Sequence, residues 1–122
     1  MKRFIGIAIA CATLASINPA WADPATAKQF LQLDGSEDGR DLAQVKIAAL
    51  EEGIRAANAQ LASTAGSKAL YCQPASLVLT GSQLADMVSR AVTGDKKLED
   101  VPLPTVLLGV LQKTFPCAAS VP

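Results

Sequence analysis

"KALYCQPASLVLTGSQL", residues 68–84, sets Cys72 two positions ahead of Pro74 and just upstream of a helix start, and "TFPC", residues 114–117, sets Pro116 directly before Cys117. Thr80 followed three residues later by Gln83 is a capping box, with Leu79 and Leu84 where a hydrophobic staple stands, so a helix begins at Gly81. Leu84, Met87, Val88, Ala91 and Val92 recur at helical spacing, Asp86 and Arg90 pair on the outer face, and Gly94 stops the helix. The same spacing returns in Leu103, Val106, Leu107, Val110 and Leu111. Pro104 is accepted only near a helix start, and Pro116 ends this second helix after Phe115. Two helices of about twelve residues, each roughly 18 Å long, with matching stripes and a short connection, form an antiparallel hairpin. Antiparallel packing brings the start of the first beside the end of the second, so Cys72 and Cys117 meet. The two prolines hold each cysteine in extended chain.

Working outward, "MKRFIGIAIACATLASINPAWA", residues 1–22, has the form of a secretory signal. It has a basic start at Lys2 and Arg3, an apolar run from Phe4 to Ile17, and small residues at Ala20 and Ala22, with cleavage expected after Ala22. The apolar run falls short of the roughly 20 residues a membrane span needs. A rival reading makes Cys11 the acylated residue of a lipoprotein, but the apolar run continues past it. Cleavage removes Cys11, and the remaining pair in an exported chain reads as a disulfide, Cys72 to Cys117. Two buried free thiols are the plainer alternative. Two cysteines without any histidine do not supply the four ligands of structural zinc, so no metal and no cofactor is expected.

Residues 23–122 then form a single domain large enough to bury a core. It carries nine basic against eleven acidic residues, with no basic stripe and with Phe30, Tyr71 and Phe115 as its aromatics. That composition does not point to nucleic acid. Pro24 is placed in a first helical turn leading to Phe30, Leu31 and Leu33, and "DGSEDG", residues 34–39, breaks that helix. Next comes a helix of about 22 residues with Ile47, Leu50, Ile54, Ala57 and Leu61 on one face, widened by Leu42, Val45 and Ala49. Gly53, which costs about 1 kcal/mol against Ala inside a helix, marks a close approach by another backbone. "STAGS", residues 63–67, closes this helix, and residues 69–79 are irregular. The fold class is all-α: a small bundle of about four helices pinned by one disulfide.

Catalytic chemistry finds little footing. No histidine is present to act as a base. Ser82 in "TGSQL" lacks the flanking glycines of a nucleophile elbow and is accounted for by the helix start. Glu51 and Glu52, like Glu99 and Asp100, are adjacent in sequence and so point about 100° apart on a helix, which suits solvated charge better than a catalytic dyad. The expectation is a binding protein with no catalytic residues, not an enzyme. The charged connection "GDKKLEDVPLP", residues 94–104, is the expected partner-binding element: Asp95, Lys96, Lys97, Glu99 and Asp100 give polar reach, and Leu98 and Val101 anchor in a cleft. The competing reading is a solvated linker.

The stretch "ALYCQPASLVLTGSQLADMVSRAV", residues 69–92, with "VLLGVLQKTFPC", residues 106–117, resembles the C-terminal half of the Tai-type immunity proteins. The likeness lies in the Tyr-Cys-x-Pro element, the Thr-Gly-x-Gln-Leu helix start and the closing Phe-Pro-Cys. Members of that family protect bacteria from cell-wall amidases delivered by type VI secretion. The resemblance implies a periplasmic inhibitor that covers the cleft of such an amidase, as a homodimer. The N-terminal half departs from the pattern, lacking the further cysteine pair that relatives often carry and offering only Gly53-Ile54 for the family's Gly-Val. A periplasmic stress chaperone is the alternative.

Overall fold

The computed structural model describes residues 23–118; the expected signal sequence, its expected cleavage after Ala22 and Cys11 lie outside the described residues. Four α-helices and one short 3-10 helix build the domain: α1 (Ala27–Asp34), α2 (Arg40–Ser63), α3 (Gly81–Gly94), the 3-10 helix (Lys96–Asp100) and α4 (Leu103–Thr114). The all-α reading and the disulfide are both present in the structure, Cys72 bonding Cys117 with Cα atoms 4.8 Å apart.

α1 begins three residues later than Pro24, because Thr26 rather than the proline starts it. The Thr26 hydroxyl accepts from the Gln29 N–H and the Gln29 side chain accepts from the Thr26 N–H, closing a full capping box. α3 starts with the same device at Thr80 and Gln83. The start of α1 is also tied to the start of α4: the Ala27 N–H donates to the Val101 carbonyl at 3.0 Å and the Leu103 N–H to the Ala25 carbonyl at 2.8 Å. This short antiparallel bridge, Thr26 beside Pro102, anchors the far end of the connection after α3.

The core is one cluster. Ala43 and Ile47 of α2, Phe30 of α1, Leu84, Val88 and Val92 of α3, and Val106, Leu107 and Leu111 of α4 are buried together around Tyr71. α3 and α4 run antiparallel: Met87 shares a cleft with Thr114, and Ala91 lies across from Val110. The buried stripes are those expected, with Ala85 added and with Met87, Ala91 and Val110 only half-buried.

α2 departs from its reading in three ways. Its buried face runs through Ala43, Ile47, Glu51 and Asn58, while Ala57 is exposed and Leu42 and Val45 stand 51% and 67% exposed. At 100° per residue Leu42, Val45 and Ala49 lie opposite the core, so they do not widen its face. Gly53 has no atom within 4 Å of where a Cβ would stand; the close approach is at Gly81, whose added Cβ would strike the Gln44 backbone. Glu51, read as solvated, is buried against Tyr71 with Arg55 Nε 3.9 Å away, because it shares the core-facing side with Ile47; Glu52 is exposed.

Between α2 and α3 the chain is irregular, as expected, but it is firmly held. Asn58 acts as a clamp: its Nδ2 donates to the Tyr71 carbonyl at 2.8 Å and its Oδ1 accepts from the Leu70 N–H at 2.6 Å. On the other side the Cys72 N–H donates to the Phe115 carbonyl at 2.8 Å. The disulfide thus lies beside a backbone hydrogen bond joining the same two segments, and Tyr71 is driven into the core between them.

Candidate functional site

The antiparallel seam of α3 and α4 leaves a groove of about 420 Å³, closed at one end by the 3-10 helix. Its floor is apolar, from Ala91, Leu98, Val101, Val106 and Val110. Two glycines deepen it from opposite walls, Gly94 at the end of α3 and Gly109 inside α4, and neither has a heavy atom within 4 Å of a Cβ position. Packing therefore does not demand glycine at position 109, although the residue costs about 1 kcal/mol against Ala in a helix interior. What glycine provides there is open backbone facing the groove.

The groove's charges are asymmetric. Arg90 and Lys113 line it on facing helices, and neither is in an ion pair among the described residues; the expected Asp86–Arg90 pair is not formed. Asp95 sits at the other end, where its carboxylate accepts from the Lys97 N–H at 3.1 Å and caps the 3-10 helix. A smaller cleft of about 250 Å³ continues past Arg90 and Lys113 to Met87 and Thr114. The arrangement suits an extended segment that lays aliphatic side chains on the floor and offers a carboxylate to the cationic pair.

The expected partner-binding connection forms one rim of this groove and does not project. It folds into the 3-10 helix because Asp95 caps its start and the Val101–Ala27 and Leu103–Ala25 hydrogen bonds fix its far end. Leu98 and Val101, read as anchors for a partner's cleft, instead pack against this domain's own core, since a connection tied at both ends turns its apolar residues inward. The polar members keep more contact with solvent: Asp95, Lys96, Lys97 and Asp100 are exposed, and Glu99 is half-buried with its carboxylate 3.3 Å from the Lys96 ammonium. Arg90, Lys113 and Gly109 lie outside the connection expected from sequence to bind the partner, whereas Gly94 is its first residue. The signal that could have found them is Gly109, a helix-interior glycine with no turn to explain it.

Among the described residues no group of three or more His, Cys, Asp or Glu could hold a metal ion, and no helix is long and apolar enough to cross a membrane. The chain matches no protein-family model, no curated protein and no solved structure. The likeness to Tai-type immunity proteins accordingly rests on the residues quoted for it.

Proposed function

We propose that this chain is a non-catalytic periplasmic binding protein of the immunity type, which neutralises a secreted cell-wall amidase by docking one of the amidase's segments in the α3–α4 groove. The observation that carries the reading is the pairing of an apolar floor with two cations, Arg90 and Lys113, that have no ion partner within the domain. Unpaired cations beside an apolar floor select an acidic, aliphatic segment and disfavour a basic one. Asp95 and Thr105, which line the groove beside Arg90 and Lys113, are exposed and supply a polar rim. The disulfide suits a protein that works in an oxidising compartment.

The test is protection. If the gene beside this chain's encodes a Cys-His amidase, that enzyme is sent to the periplasm with and without the protein, and lysis is followed. Co-expression should prevent lysis, and Arg90→Glu with Lys113→Glu should abolish protection while the circular dichroism spectrum is kept. Lysis unaffected by the unaltered protein would remove the amidase from the reading.

One observation favours the stress-chaperone reading. Leu42, Val45, Leu77 and Val78 are exposed apolar residues, Val78 at 70%, and could hold an unfolded client.

A further inference from the structure

The α3–α4 groove carries opposite charges at its two ends, and one of those ends is closed. Against the 3-10 helix, at the closed end, stands Asp95 with Leu98, Val101 and Thr105. One Asp95 carboxylate oxygen accepts from the Lys97 N–H, and the carboxylate is in no ion pair among the described residues. Lys96 is drawn to Glu99 at 3.3 Å, and neither Lys96 nor Lys97 lines the groove. The C-terminus of α3 and the N-terminus of α4 meet at this end, so their opposed dipoles offset each other and Asp95 sets the sign of the charge there. Arg90 and Lys113 stand at the other end, where the groove runs on into the cleft beside Met87 and Thr114.

Helix geometry sets the distance between the two charges. Asp95 comes five positions after Arg90 on one wall, and Lys113 comes eight after Thr105 on the other. At 1.5 Å per residue these are rises of about 8 and 12 Å. An extended chain covers that distance in about two or three residues at 3.3 to 3.6 Å each. A segment that crosses the floor from the open end meets the 3-10 helix and has to stop or climb out. A chain terminus stops without needing an exit. Of the two kinds of terminus, a carboxylate would be repelled by Asp95, whereas an α-ammonium pairs with it. Gly94 and Gly109, with open space at their Cβ positions, leave room on both walls for the main chain that follows such a terminus.

We infer that the closed end of the groove captures the free amino terminus of the partner polypeptide. Its α-ammonium donates to Asp95, its first side chains lie on the apolar floor, and a carboxylate at about the third residue pairs with Arg90 and Lys113. The inference rests on the groove being the partner site, and adds which end of the partner enters and in which direction it runs.

The test is a heteronuclear NMR titration of residues 23–122 with the peptide amide Leu-Val-Glu-Leu, its N-acetylated form, and the free-amine peptide with glutamine in place of glutamate. At about pH 7 the free α-amine, with a pKa of about 7.7 to 8.0, is mostly protonated. The expected dissociation constant of the first peptide is about 0.1 to 1 mM, with saturable shifts at the Gly94, Asp95 and Gly109 amides. Acetylation and the glutamine replacement should each weaken binding about tenfold. Asp95→Asn keeps the cap of the 3-10 helix, because asparagine caps as well as aspartate does. It should weaken the free-amine peptide about tenfold and leave the acetylated one unchanged. Equal affinity for the free and acetylated peptides, or an Asp95→Asn loss of the same size for both, would overturn amine capture and leave the groove reading standing. No saturable shift with any peptide would also overturn it. The groove reading falls separately, if the Arg90→Glu, Lys113→Glu variant binds the amidase as well as the unaltered protein does.

Discussion

Replacing Cys72 with serine removes the covalent tie between the segment before α3 and the end of α4 while keeping a side chain of similar size. The bonded residues are 45 positions apart, so the bridge closes a ring of about 46 residues in the unfolded chain. Chain-entropy arithmetic for a ring of that size gives about 4 kcal/mol at 25 °C. For a domain of this length, whose whole stability is on the order of 5 to 10 kcal/mol, that is a large share. Some of the local geometry should survive, because the Cys72 N–H still donates to the Phe115 carbonyl and Asn58 still holds Leu70 and Tyr71. The expected loss is therefore about 2 to 4 kcal/mol, read as a shift of the urea midpoint followed by far-ultraviolet circular dichroism. A loss under about 1 kcal/mol with an unchanged denaturant slope would refute the reasoning, since the segment would then be held by its hydrogen bonds and by Tyr71 alone.

Gly81→Ala should cost about 1 to 3 kcal/mol by forcing α3 away from the Gln44 backbone, whereas Gly53→Ala, with open space around its Cβ, should add about 0.5 to 1 kcal/mol; paired thermal melts decide both. Asn58→Ala leaves the Leu70 N–H and the Tyr71 carbonyl without partners and should cost about 1 to 3 kcal/mol, with much faster hydrogen exchange at the Leu70 amide. Tyr71 is the single tyrosine of the chain, and burial first, then the Glu51 carboxylate, raise its pKa above the ordinary 10.0 against a smaller opposing pull from Arg55. Its ultraviolet titration should therefore come late. The neutral phenol favours the fold, so its contribution is complete below pH 10 and declines as pH rises from 10 towards the raised native value. With no histidine to switch charge near pH 6, no suppression of client aggregation is expected between about pH 5 and 7, and suppression at pH 6 would favour the chaperone reading.

The parts of the fold that local chemistry dictates are the parts legible in the sequence. The Thr80–Gln83 box, the two apolar stripes and a proline within two positions of each cysteine fix the α3–α4 hairpin and, through it, the disulfide. The Thr26–Gln29 box is written in the same Thr-x-x-Gln pattern, and Pro24 drew attention from it although a proline outside the first turn caps nothing. α2 misleads because alanine is spread around the helix, so periodicity does not separate its buried face from the face bearing Val45. Which glycine meets a backbone, whether residues 96–100 project or fold, and that Asn58 clamps residues 70 and 71 are set by contacts between segments far apart in the chain. No local pattern encodes them. The groove is legible only where it departs from a rule, at Gly109; Arg90 and Lys113 look like any helical surface charges until α3 and α4 are set side by side.

The account's central claim is that the α3–α4 groove holds the partner. Its most direct test is calorimetric titration of residues 23–122 with a Cys-His cell-wall amidase, the one encoded by the neighbouring gene where that gene encodes one, compared with the Arg90→Glu, Lys113→Glu double variant. Two reversed charges at a desolvated contact should weaken binding by about 100-fold or more, with folding and the disulfide unchanged. Equal affinity for both proteins, or no binding by the unaltered chain, would contradict it.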